Sequence, residues 1–177
     1  TADDNIAIGS GAIHSDTTPL QTVALGNEAC KHLDVSQYNI AIGKGALSTE
    51  DTGSRNTAIG HAALNALNYD GTGYNTAVGF WAGLSVTTGV NNTLIGGLAG
   101  DALTTGFENV AVGMGALGTE DTGAKNTAIG YYSLLNLNYN GDGFNTAVGY
   151  HSGLNMSTGL RNTVIGALAG DALTTGS

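Results

Sequence analysis

Basic residues are scarce in this chain. Lys and Arg together number 5 against 14 Asp and Glu in 177 residues, for a formal net charge of −9. No basic stripe exists to follow a phosphate backbone, which argues against nucleic acid as a partner. Cysteine is nearly missing as well. Cys30 stands alone, so an internal disulfide framework is excluded. There is one proline, Pro19, and charged residues make up only 11%. No apolar run approaches the ~18 residues of a membrane-spanning helix, and no secretory leader is visible, so membrane insertion is not expected. G-x-S-x-G, Walker and C-x-x-C patterns are all lacking, and no Ser or Thr has a base evident beside it in sequence.

What is present is glycine, 29 of them, and repetition. The pattern N-[TIV]-[AVL]-[IVL]-G starts at positions 5, 22 (with Thr for Asn), 39, 56, 75, 92, 109, 126, 145 and 162. Seven of the nine spacings between starts are 17 residues; those after Asn56 and Asn126 are 19. A second period of 70 overlies the first: residues 39–107 align with 109–177 without a gap, and 44 of the 69 pairs are identical. Residues 1–177 therefore read as one repeat domain of ten coils. The opening TADDN already has repeat character, so the sequence is expected to be a piece of a longer fibre.

Each column of the repeat carries a physical demand. The second position is β-branched in every coil and the fourth is always Ile, Leu or Val, which suits a short strand. The fifth is always Gly, as a sharp bend or a positive φ requires. A second Gly, as in Thr104-Thr105-Gly106, marks a return corner. A unit of this length with two Gly corners has no room for an amphipathic helix. The expected fold is all-β: a parallel β-solenoid, or β-roll, in which each strand pairs with its equivalent one coil away. At ~4.8 Å per coil the rod is roughly 48 Å long. The leading Asn forms a corner column whose amides hydrogen-bond along the stack, and Asn tolerates left-handed geometry.

The fourth-position column is large and apolar, so it is expected on one packed face. The opposite face presents the third position, Ala in eight coils and Leu94 or Val164 in the others. A solvated strand face would be polar there. Close packing of identical rods side by side, as a homo-oligomer, would cover it.

The stretches NTAIGHAAL (56–64), NTAVGFWAG (75–83) and NIAIGKGAL (39–47) resemble the repeats of bacteriophage tail fibres. They are also similar to the heads of trimeric autotransporter adhesins, whose repeat is shorter. The resemblance implies a side-by-side homotrimer on an elongated extracellular fibre, at a cell surface or on a virion, that attaches to cells. It implies no catalytic residue, so no enzyme activity is expected. A hexad such as IGKGAL (42–47) also matches left-handed β-helix acyltransferases, but only about a third of each coil fits. Two other non-enzymatic classes compete: a filament whose rods stack end to end, and an ice-binding solenoid built on the Thr column that includes Thr18, Thr52, Thr88, Thr105, Thr122, Thr158 and Thr175.

Two sets of residues are candidate sites. The sixth and seventh columns carry His61, Phe80, Trp81, Tyr131, Tyr132, Tyr150 and His151, expected as two exposed aromatic patches that bind a surface glycan or receptor. The second is NYNGDGF (138–144), where Asn138, Asn140 and Asp142 offer oxygens in the spacing of a calcium loop. Its counterpart is NYDGTGY (68–74), and neither copy has a Glu at the twelfth loop position. A protruding turn beside Trp81 and Tyr150 that binds calcium weakly at best is expected, and no other cofactor. His14, His32, His61 and His151 do not recur with the 70-residue period, so a zinc site is not expected. Cys30 sits where other coils carry Ile, Leu or Gly and reads as an apolar filler.

Overall fold

The computed structural model describes residues 4–14 and 20–176. Thr18 of the Thr column, its neighbour Thr17 and Pro19 lie outside the described residues. Ten three-residue strands follow one another: β1 (Ile6–Ile8), β2 (Val23–Leu25), β3 (Ile40–Ile42), β4 (Thr57–Ile59), β5 (Thr76–Val78), β6 (Thr93–Ile95), β7 (Val110–Val112), β8 (Thr127–Ile129), β9 (Thr146–Val148) and β10 (Thr163–Ile165). They form one parallel sheet in chain order. The chain is an all-β, parallel β-solenoid. Its register joins equivalent positions across every coil boundary, including the 19-residue coils, where Thr57 pairs Thr76 and Thr127 pairs Thr146. The extra two residues are therefore absorbed before the next strand begins.

The strand faces are opposite to the expectation. The third position points inward: Ala24, Ala41, Ala58, Ala77, Leu94, Ala111, Ala128 and Ala147 have no solvent exposure. The second and fourth positions point outward, and Ile40, Ile95 and Ile129 are exposed. The reason is interior width. One coil must also bury its eighth, ninth and twelfth positions, as Ala46, Leu47, Leu67 and Leu103 show. Opposite such Leu residues only a small side chain fits on the strand.

The core conserves volume from coil to coil. Where the ninth position is Gly, in Gly83 and Gly100, the strand residue is enlarged to Leu94. A Cβ added at Gly83 would lie 2.7 Å from Leu94 Cδ1, and one at Gly100 2.8 Å from Leu94 Cδ2. Val164 answers Gly170 in the same way, with Cγ1 at 2.9 Å from the added Cβ.

The corners are made by backbone left of the usual region. The residue before the leading Asn, the seventh and the ninth all adopt positive φ: Arg55 at 62°, Trp81 at 58° and Leu47 at 49° are examples. The leading Asn does not, so the left-handed geometry expected of it falls one residue earlier. Each such non-Gly residue costs of order 1 kcal/mol, and most are held by an inter-coil bond. Arg55 N–H donates to Gln37 O at 3.0 Å, Trp81 N–H to His61 O at 3.0 Å and Leu47 N–H to Ala63 O at 3.1 Å.

The two glycine columns have different reasons. The fifth combines φ with space: Gly26 sits at φ 138°, and a Cβ there would meet Gly43 O at 2.6 Å. The glycine at the return corner has no positive φ and is needed for space alone, since a Cβ on Gly106 would meet Gly123 O at 2.5 Å.

The Asn column is buried and fully engaged. Asn92 Nδ2 donates to Gly106 O at 2.8 Å, closing its own coil, and to Asn75 Oδ1 at 3.3 Å, tying it to the preceding one. Asn92 N–H also donates to Asn75 Oδ1 at 3.0 Å. Both directions of the solenoid, around the coil and along the stack, pass through this one amide.

Candidate ligand-binding surface

After the Gly corner at the fifth position the chain throws its sixth and seventh side chains outward, because the eighth must return to the core. That places the aromatic residues at the surface: Phe80, Trp81, Tyr131 and Tyr150 are exposed. The structure brings them together as expected in two groups, four coils apart. In the first, His61 and Phe80 stack at 5.4 Å between centroids and Phe80 and Trp81 at 4.7 Å. In the second, Tyr131 and Tyr150 stack at 5.6 Å with 10° between planes, and Tyr150 lies 3.9 Å from His151 at 13°. Tyr131 and Tyr132 are 4.2 Å apart and more tilted.

Two rings nearly parallel with centroids 3.9 Å apart must lie face to face, since coplanar rings keep their centroids farther apart. Trp81 and His151 therefore back the sixth-position rings of their own coils, Phe80 and Tyr150, whereas Tyr132 meets Tyr131 at 43°. The sixth-position rings then form a wall with one face covered and one open. Half-exposure of Phe80 and Tyr150, 52% each, matches one free face. The Tyr131 phenol is pushed up, chiefly by its hydrogen bond with Tyr132. The imidazole Nε2 of His151 is buried in this cluster without a partner.

The inserted turns lie elsewhere. Gly73 N–H donates to Ser54 O and Asn68 N–H to Thr87 O, and Gly143 and Asn138 repeat these bonds with Ala124 and Ser157. These partners line the return corner, which precedes the strand, whereas Trp81 and Tyr150 follow it. The expectation of a turn beside Trp81 and Tyr150 is corrected accordingly: the short strand separates them. Two of the three candidate calcium ligands have side-chain partners. Asp142 Oδ2 accepts from Lys125 Nζ at 2.7 Å, and Asn140 Oδ1 accepts from Thr122 Oγ1 at 2.7 Å. Among the described residues no group of three His, Cys, Asp or Glu is placed to hold a metal ion.

Three features escaped sequence reasoning. At the return corner Arg55 lies over the rings of Tyr38 and Tyr74, at 5.3 and 5.9 Å, and Lys125 over those of Phe107 and Phe144, at 5.6 and 5.2 Å. A cation in one coil flanked by aromatics in its neighbours was a readable signal. His32, Asp34, Thr49, Asp51 and Asn68 line a shallow polar hollow.

The third feature is a buried acid. Glu50 and Glu120 occupy the twelfth position, where other coils place Leu33, Leu67 or Met156, and neither is exposed. Glu50 accepts from Gly53 N–H at 2.7 Å and from Tyr69 N–H of the next coil at 3.4 Å. Glu120 accepts from Gly123 at 2.8 Å and Tyr139 at 3.2 Å. Each thus ties its own corner to the inserted turn stacked on it. Burial pushes the Glu50 carboxyl up to about 7, against the lowering by these amides, and raises Glu120 too. Burial, with Glu50 nearby, pushes the Cys30 thiol up to about 12, so it stays an inert filler at neutral pH.

No family model, no curated protein and no solved structure matches the chain.

Proposed function

We propose that the chain is a non-enzymatic segment of an extracellular fibre, in which three copies pack side by side and carry attachment to a cell-surface glycan or receptor. The observation that supports it is the outward sheet face. The second and fourth positions place β-branched and aliphatic side chains on the outside of all ten strands, from Ile6 and Ile8 to Thr163 and Ile165. Exposed faces of this length are rare on monomers and mark association surfaces. The sheet is narrow and its outer side chains are no larger than Ile, so copies approach closely along the whole rod. Burying an Ile or Val fully contributes about 1.5–3 kcal/mol, and the column offers such residues at every coil. The number three comes from the resemblance to tail fibres and adhesin heads.

Light scattering tests this directly. A mass three times that of the chain is expected, falling to one when Ile42 and Ile59 are both replaced by Lys, with the solenoid's circular dichroism retained. A monomer at all concentrations refutes the side-by-side reading. A mass that climbs without limit, with fibres in electron micrographs, favours the end-to-end filament instead.

A further inference from the structure

The open faces of the two aromatic walls have no role in holding the fold. We propose that they bind a neutral linear polysaccharide of β-linked, gluco-configured pyranoses lying along the rod axis, one sugar chain touching both walls. This deepens the glycan part of the fibre reading and rests on it only for its setting, because the site lies on a single chain.

Four observations carry the proposal. First, Phe80 and Tyr150 each offer one ring face while Trp81 and His151 back the other. A ring fixed in this way stacks on the flat C–H face of a pyranose without losing side-chain freedom. Second, the walls occupy the same columns of a stack in uniform register, so they face the same way. They are four coils apart, roughly 19 Å at ~4.8 Å per coil. Third, the path between them is low and apolar. Gly97 has no side chain, and a Cβ there would meet only Phe80 O at 3.9 Å. The half-buried Leu98 and exposed Met114 stand in the same columns, and a Cβ on Gly115 would meet the Tyr132 ring. Fourth, the walls carry no Lys or Arg and the chain has a net charge of −9, which disfavours an acidic polysaccharide. The rise per coil is close to the repeat of an extended β-linked glycan, so successive sugars keep pace with successive coils.

Trp81 is the only tryptophan, and its fluorescence reports on the first wall. The probes are cellobiose and cellohexaose, titrated against the intact chain. Cellobiose reaches one wall; cellohexaose is long enough for both. The expected result is a fluorescence change with either sugar and an affinity for cellohexaose about tenfold or more above that for cellobiose, since the second contact is intramolecular. Tyr150→Ala, remote from Trp81, should abolish that gain and keep the cellobiose response, with the circular dichroism of the folded solenoid retained. Equal affinities for the two sugars overturn the bridging geometry. No response to either sugar, with none retarding the protein in affinity electrophoresis, overturns the proposal altogether. If Phe80→Ala or Tyr150→Ala lowers the mass seen by light scattering, another copy of the chain covers the walls, and the proposal fails. Sugar binding by a chain that scatters as a monomer would sink the trimer and leave the polysaccharide site standing.

Discussion

Replacing Glu50 and Glu120 together by Gln should flatten the dependence of melting temperature on pH. Both carboxyls lie in an apolar column with no solvent exposure. The folded-state value for Glu50 is raised from 4.5 to about 7. A raised value means the unfolded chain gives up the proton more readily, so the stabilisation is complete below pH 4.5 and is lost as pH rises through about 7. At about 1.4 kcal/mol per pH unit, the shift corresponds to an upper bound of about 3.5 kcal/mol for this site. Glu120 is raised by the same cause and acts in the same direction. Relief of the −9 net charge at low pH also favours the folded state there, so the natural chain alone does not isolate the two sites. The Gln variant does. It keeps one neutral acceptor oxygen, enough for Gly53 N–H or Gly123 N–H, and has no proton to lose. The assay is thermal denaturation by circular dichroism from pH 4.5 to 8.5. The natural chain should lose several degrees more than the double variant over that range. Equal slopes in the two proteins, or a melting temperature of the natural chain that rises with pH, would refute the linkage.

Other perturbations probe separate parts of the fold. Leu94→Ala removes the side chain that fills the space above Gly83 and Gly100 and should cost about 2–5 kcal/mol. Adding Gly100→Leu, the residue other coils carry at the ninth position, should recover part of this, as a double-mutant cycle in urea would read. Asn109→Ala removes the acceptor for Asn126 N–H and the donors to Asn92 Oδ1 and Gly123 O. Leaving such groups unpaired costs about 1–3 kcal/mol each, so the rod should melt early or open in the middle, with hydrogen exchange fastest near that coil. Lys125→Met removes the ion pair to Asp142 while preserving the contact with Phe144, and should change stability by less than about 1 kcal/mol at this exposed corner. A larger loss would mean that the turn depends on the charge.

The ten coils, their boundaries and the parallel register were legible in the sequence, because a solenoid repeats every steric demand once per turn. Invariant Gly at the fifth position, Asn at the first and β-branched residues at the second each answer a local backbone requirement, and local requirements print directly into sequence. The aromatic columns were legible for a related reason: positions free to vary between Lys44, Gly97, Met114 and Tyr131 are positions the core does not constrain. Pairing of strands alone could not say which strand face looks inward. Ala58 and Ile59 are both apolar, and either could line a core. The width of the interior decided it, since Leu47 and Leu64 already occupy the space opposite and leave room only for Ala.

The chain by itself determined a β-solenoid and the period on which its side chains recur. Only the tertiary structure decided what stacking does to them. It buried Glu50 and Glu120 among leucines because the inserted turn above supplied an amide for each. It turned Trp81 onto Phe80 and His151 onto Tyr150 because a left-handed seventh residue folds its ring back on the sixth. It left the β-branched columns on the outside, where a rod of uniform register adds one small apolar contact per coil into a continuous face.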